Sequence, residues 1–253
     1  MSTHPAAALR GALGFLTRLP VGHDEAVWDA FRTAPWTIPL VGYLVGALAA
    51  LPLLVPAPDP TLALGFVLAV YLVTGINHLD GVADLGVAAV VHGTSADRRE
   101  VLKDTTVGVG AALAVALVVL GLGLAGLALA ALPVGALVLV VAAEVGAKAA
   151  TALLACLGDA PHEGLGSALT DPNGERDALA VLALALPAAL LGVAVAEPVA
   201  TLVAVLAALA TGLLVWRWAR PNLGGVNGDV LGATTELARV AALHVGVLAW
   251  TLY

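Results

Sequence analysis

Charge is what this sequence most lacks. Asp, Glu, Lys and Arg make up 11% of its 253 residues, against roughly a quarter in an ordinary soluble domain, so the usual water-facing surface is excluded. Cysteine occurs once, as Cys156 inside an apolar run, which rules out a disulfide framework and a cysteine metal site and leaves a small core residue. Lysine is confined to Lys103 and Lys148, and the formal net charge is −7. No basic stripe is available for nucleic acid, and the acid surplus fits a high-salt source and a GC-rich genome equally well. Aromatic residues are only 4% of the chain.

Apolar residues fill the space instead. They reach 60% of the chain, and the mean hydropathy is +1.00, values that place it among integral membrane proteins. Because the apolar set is mostly Ala, Val, Leu and Gly, close helix packing through small residues is expected. The opening "MSTHPAAALRGALGFLTRLP" has its apolar piece interrupted by Arg18, so an uncleaved multi-pass protein is expected rather than one with a removed signal peptide.

A crossing helix takes about 20 mostly apolar residues. Seven segments qualify or nearly do: Ile38 to Val55, Thr61 to Ile76, Val107 to Ala130, Leu132 to Leu157, Ala178 to Ala196, Pro198 to Trp218 and Leu237 to Tyr253. The fold class is therefore all-α, a polytopic bundle forming a single membrane-embedded domain over residues 1–253, with Ala6 to Leu19 as an added re-entrant or interfacial helix.

Threading the chain through these spans separates its connections. One side receives only short turns, after Pro56, near Ala131 and Leu132, and at Glu197 and Pro198. The other receives the N-terminus and residues 77–106, 158–177 and 219–236, which hold nearly every polar group. Of the Lys and Arg residues only Lys148 lies deep inside a span, Arg217 and Arg239 standing at the polar-side ends of theirs, and none falls on the short-turn side. The positive-inside rule makes the polar side cytoplasmic, in a plasma membrane, with function in three loops that face one another.

The first loop opens with "NHLDGVAD", where Asp80 and Asp84 are four apart and so share a helix face. It continues to Lys103 and Asp104. Mg²⁺ favours one or two carboxylates together with phosphate oxygens and retained water, so these residues suit a metal-bridged diphosphate. An amphipathic cytoplasmic helix with solvated charges fits the same spacing. The last loop, "ARPNLGGVNGDVLGATTELAR", has more glycine and polar side chains than a plain connector needs. The middle loop, with His162, is a weaker signal. Glu144 and Lys148, also four apart, sit within a span. Intramembrane charges pair or face the bundle interior, so they are either a self-satisfied ion pair or a phosphate-reaching lysine.

Taken together, "FLTRLPVG", "PLVG", "HLDGVAD", "KDTTVG", "EGLG" and "GGVNGDVLGATTEL" resemble the cobalamin synthase family, the membrane adenosylcobinamide-GDP ribazoletransferases of vitamin B12 assembly. The motifs run in the family's order along most of the chain. The resemblance implies an enzyme that joins adenosylcobinamide-GDP to α-ribazole or its 5′-phosphate with Mg²⁺, releasing GMP. It further implies that Asp80 and Asp84, with Asp104 or Asp229, hold the metal. Lys103 would neutralise the leaving phosphate, and His78 or Asp229 would accept the hydroxyl proton. Asn77, Asn227 and Glu236 would contact ribose or base, and Lys148 a phosphate. The chain departs from the pattern at Val87, where an acid is expected, and at Glu144 and Lys148, in a span where an Arg is expected.

Two other readings stand beside this one. A CDP-alcohol phosphotransferase-like enzyme would need Ala-Arg and two later Asp residues after its opening Asp-Gly, which are missing here. A transporter would use Glu144 and Lys148 at mid-membrane, but the one-sided crowding of polar groups speaks against it. The partners expected are small-molecule substrates and membrane lipid, with no nucleic acid; a homo-oligomer is left open.

Overall fold

The computed structural model describes residues 5–22, 24–101 and 108–253; Lys103 and Asp104 lie outside the described residues. Twelve α-helices follow one another without a strand among the described residues: α1 Pro5–Leu16, α2 Glu25–Arg32, α3 Thr37–Ala50, α4 Asp59–Thr74, α5 Asn77–Val90, α6 Ser95–Val101, α7 Val109–Ala130, α8 Val138–Leu157, α9 Leu165–Thr170, α10 Glu175–Ala189, α11 Pro198–Leu223 and α12 Gly228–Leu252. With short 3₁₀ turns extending α3, α8 and α10, six helices among the described residues are long and apolar enough to cross a membrane, or seven if the bent pair α4–α5 counts as one span.

α8 is the axle of the bundle. Sixteen of its twenty residues are buried, against α3, α10, α11 and α12. Gly42 and Gly46 of α3 meet it closely: a methyl group at either would lie 2.7 Å from the Val145 Cα or 2.6 Å from the Val141 Cα. This small-xxx-small contact lets two backbones approach where the lipid offers no hydrophobic driving force, as the Ala- and Gly-rich composition implied.

The apolar run of α4 ends at Gly75, whose φ of 74° is open to glycine. Beyond it α5 turns by 99°, so α5 lies across the end of α4. This is why Asp80 and Asp84 follow an apolar run directly. At the N-terminus α1 packs on α2, and the rings of Phe15, Trp28 and Phe31 stack with centroids 5.3 to 5.7 Å apart. Helix α1 covers most of the segment Ala6 to Leu19, where an additional helix was expected.

The last span differs from expectation. It begins at Gly228 rather than Leu237, and α11 continues to Leu223 rather than Trp218. Asn227 caps α12 by accepting from the Val230 N–H at 2.9 Å, so most of the presumed loop is helix. Its polar residues Thr234, Thr235, Glu236 and Arg239 are buried. Arg239, counted above with the polar side, belongs to the interior.

Candidate active site

Two glycines bring α5 and α12 together. A methyl group at Gly81 would lie 2.5 Å from the Asp229 carbonyl oxygen, and one at Gly232 would lie 3.2 Å from the His78 Cα. Backbones packed this closely place Asp84 beside Asp229. Burial first, then the charges of Asp229 and Asp80, push the Asp84 carboxyl up to about 6. Asp80 is exposed, while Asp84 and Asp229 are half-buried. The Asp229 carboxylate accepts a hydrogen bond from the Asn227 side-chain nitrogen at 2.9 Å.

Among the described residues no three His, Cys, Asp or Glu side chains are arranged to hold a metal on their own. Mg²⁺ does not require such a cage, because one or two carboxylates suffice when phosphate oxygens and water complete the shell. The donor set at α5 and α12 fits this mode: hard oxygen ligands crowd together so that Asp84 holds its proton more tightly than an ordinary carboxyl, a repulsion that a divalent cation relieves.

Two cavities flank the α5–α12 contact. The first, about 460 Å³, is lined by Phe15, Arg18, Phe31, Asn77, His78 and Gly228, among others. The second, about 410 Å³, is lined by Arg99, Glu100, His162, Asn227 and Asp229 with apolar neighbours. All three polar loops and the N-terminus contribute to these walls, so they do converge. The middle loop is tied to the last one by the Val226 N–H donating to the Asp159 carbonyl at 2.8 Å. Gly166 also packs against the backbone of Val226 and Asn227.

Beneath the first cavity lies a buried ion network. Arg239 of α12 engages Glu144 of α8 through Nε, and its Nη1 is 2.6 Å from Glu236 Oε1. Lys148 Nζ is 3.3 Å from Glu144 Oε2, and Tyr71 donates to Glu236 at 3.4 Å. Two carboxylates face two cations, all fully buried. His78 Nδ1 stands 4.0 Å from Glu236 Oε1 without a hydrogen-bond partner. Burial, then the charges of Lys148 and Arg239, hold His78 down to about 3, so its ring is neutral.

The sequence-derived site thus divides. Asn77, His78, Asp80, Asp84, Asn227 and Asp229 gather at the junction. Lys148 and Glu236, expected at substrate, are enclosed instead, because Glu144 and Arg239 claim their charges in the interior. Asn227 spends both ends of its amide on the helix cap and on Asp229. Arg18, Arg99 and Thr151 were missed as wall residues, although Arg18 stands within "FLTRLPVG", where its motif was the available signal. Arg239 was missed as a partner because its pairing with Glu144 spans 95 residues.

The family described as cobalamin-5-phosphate synthase matches residues 8–247. The chain is 64% identical to a protein of Halorubrum lacusprofundi over 97% of its own length and 98% of that protein. To one of Haloquadratum walsbyi it is 48% identical, over 97% and 99%, and to one of Thermococcus kodakarensis 35% identical, over 96% and 99%. All three are named adenosylcobinamide-GDP ribazoletransferase. No solved structure matches.

Proposed function

The chain belongs to the cobalamin-5-phosphate synthase family and joins adenosylcobinamide-GDP to ribazole, and we propose that it does so at the junction of α5 and α12. Neither the CDP-alcohol phosphotransferase reading nor the transporter reading finds support among the relatives above. The observation that carries the site assignment is the close approach of α5 to α12 at Gly81, which brings Asp84 within electrostatic reach of Asp229 and Asp80, beside a cavity that exposes Asn77 and His78.

In the reaction a ribose hydroxyl oxygen attacks the phosphorus on the cobinamide side of the diphosphate. A new phosphorus–oxygen bond forms, the bond to GMP breaks, and the hydroxyl proton passes to a base. Charge develops on phosphate oxygens, so positioning and electrostatic stabilisation carry most of the catalysis. Asp80 and Asp84, with Asp229, would hold Mg²⁺, which when bound neutralises the diphosphate. Lys103 and Asp104 remain proposed contributors from the same loop.

Neutral His78 lines the cavity and is the proposed proton acceptor, a role that requires the bound diphosphate to offset the burial and the Lys148 and Arg239 charges that disfavour its protonation. Glu236, 4.0 Å from Nδ1, would stabilise the charged ring after a small approach, as a carboxylate does for a catalytic histidine. Asn77 is exposed at the same wall and is placed to bind the ribose. Asp229 is better suited to the metal than to the proton, because Asn227 already holds its carboxylate.

The polar face is placed in the cytoplasm of a plasma-membrane protein, following the Lys and Arg distribution. GMP release from adenosylcobinamide-GDP by the purified protein in detergent, dependent on added ribazole and on Mg²⁺, tests the proposal. Turnover that ignores the metal, or that survives substitution of both Asp80 and Asp84 by Asn, overturns the site assignment.

A further inference from the structure

The first cavity is chemically two-sided. Phe15 and Phe31, with ring centroids 5.3 Å apart, join Ile38, Leu165, Leu169 and Leu231 in an apolar wall. Its polar side is narrower than the residue names suggest. Thr17 Oγ1 donates to the Leu13 carbonyl at 2.6 Å and Thr74 Oγ1 to the Val70 carbonyl at 2.8 Å, and Thr151 Oγ1 lies 3.1 Å from the Ala147 carbonyl and 2.8 Å from Thr235 Oγ1, so all three hydroxyls are engaged within the protein. Arg18, Asn77 and His78 remain.

Arg18 differs from the arginines near it. Arg10 pairs with Asp24 at 3.6 Å and Arg32 with Asp29 at 2.7 Å, whereas Arg18 has no carboxylate partner among the described residues. Its backbone is tied down while its side chain is exposed. The Arg18 N–H donates to the Val73 carbonyl at 2.7 Å, and the side chain lies over Gly75, where a methyl group would come within 2.7 Å of Nε. The joint between α4 and α5 therefore carries an exposed guanidinium at the cavity wall, without a carboxylate partner among the described residues.

A volume of about 460 Å³ falls in the range of small-molecule sites, about 300–1,000 Å³. It admits a nucleotide with a bicyclic base, while the corrin ring of the donor is far too large and must stay outside. None of Asp80, Asp84 and Asp229 lines this cavity, so a phosphate inside it would meet Arg18 rather than the acidic edge. Guanidinium matches phosphate with two parallel hydrogen bonds.

We propose that this cavity is the acceptor site and that Arg18 is its phosphate-reading residue: the base lies against Phe15 and Phe31, and the guanidinium binds the 5′-phosphate of α-ribazole 5′-phosphate. The inference rests on the transferase reading above. The phosphorylated acceptor is the one the family description implies; the inference adds the cavity that takes it and the residue that reads its phosphate.

The test compares GMP release with α-ribazole 5′-phosphate and with α-ribazole, in wild-type protein and in Arg18→Ala, Arg18→Gln and Arg18→Lys. Wild-type protein should favour the phosphorylated acceptor in kcat/KM. The Ala and Gln variants should lower that preference at least tenfold, through KM for the phosphorylated acceptor. Lys should restore part of it, since it keeps the charge but loses the two-pronged geometry. Fluorescence of the benzimidazole base, titrated without donor, should show the same weakening for the phosphorylated acceptor. Should the Ala variant not fold, Gln and Lys carry the comparison.

Equal losses for both acceptors would make Arg18 merely structural. A rise in KM for adenosylcobinamide-GDP with the unphosphorylated acceptor would assign the guanidinium to the donor diphosphate. Either result overturns the inference alone, as does a wild-type enzyme indifferent to the phosphate. Absence of GMP release with either acceptor would remove the transferase reading itself.

Discussion

Arg239 on α12 grips Glu144 on α8 through Nε and Nη2 of its guanidinium, with both side chains fully buried. Lys148 and Glu236 complete a set of two positive and two negative groups, so the interior is neutral only while all four are present. Removing one partner of a buried pair leaves an uncompensated charge, at about 3–5 kcal/mol. Glu144→Ala, which strands two cations, should therefore lower the melting temperature in detergent sharply. Lys148→Met should destabilise the protein while the folded fraction keeps its KM for adenosylcobinamide-GDP. A raised KM with an unchanged melting temperature would return Lys148 to the phosphate.

Asp84 is the carboxylate with a pH signature. Its value in the fold, about 6, lies above the ordinary 3.8, so the folded state holds the proton more tightly. Metal-free protein should lose stability as pH rises through that interval. Asp84→Asn should flatten this loss and abolish the Mg²⁺-induced rise in melting temperature. GMP release should fall about 10²–10³-fold, the scale of losing one electrostatic stabiliser. Melting curves with and without Mg²⁺ at several pH values check both statements, and an unchanged metal response in the variant would remove Asp84 from the ligand set.

The α5–α12 contact gives a graded test. Gly81→Ala places a methyl group 2.5 Å from a carbonyl oxygen on α12, whereas at Gly232 the nearest atoms are 3.2 Å away. The first should separate Asp84 from Asp229, with a destabilisation of about 1–3 kcal/mol and a rise in the Mg²⁺ concentration needed for half-maximal rate. The second should be milder on both counts. Reversal of that order would mean that the spacing of these helices does not set the metal site.

How legible this site was depended on the range of the interactions. Composition identified the membrane class, and local spacing placed Asp80 and Asp84 on one face, because helix periodicity acts within four residues. The glycines of "GGVNGDVLGATTEL" suggested loop, yet Gly228 and Gly232 start a helix whose close approach to α5 needs a missing side chain, a tertiary reason invisible along the chain. For the same reason Glu144 and Lys148 looked like a self-contained pair until Arg239 arrived from another helix. Arg18 was read as the charge that interrupts the opening apolar piece and as part of "FLTRLPVG", not as a site residue, since its cavity forms from elements distant in sequence.

Orientation has a simple measurement. Cys156, the single native cysteine, is 5% exposed, so it contributes little background to labelling in intact membranes. Cysteine introduced at exposed Asp59 should react with an impermeant reagent from the outside only. Labelling confined to the cytoplasmic face would invert the arrangement proposed above.

Val87 tests the departure from the family pattern. It lies three residues beyond Asp84 on α5, hence on the same helix face, and is half-buried. Its Cγ2 is 3.8 Å from the place a methyl group would occupy at Gly108, so the position has room on that side. With one acid fewer, Mg²⁺ can still complete its octahedral shell from the remaining carboxylates, phosphate oxygens and water, and the enzyme should work while requiring more metal. Val87→Asp should then lower the Mg²⁺ concentration for half-maximal GMP release severalfold with little change in the maximal rate. Desolvation is the opposing effect, because an unpaired carboxylate forced into an apolar contact costs several kcal/mol. If that effect dominates, the variant will melt at lower temperature and gain no metal affinity. Parallel Mg²⁺ titrations of the two proteins decide whether residue 87 faces the metal or the packed interior.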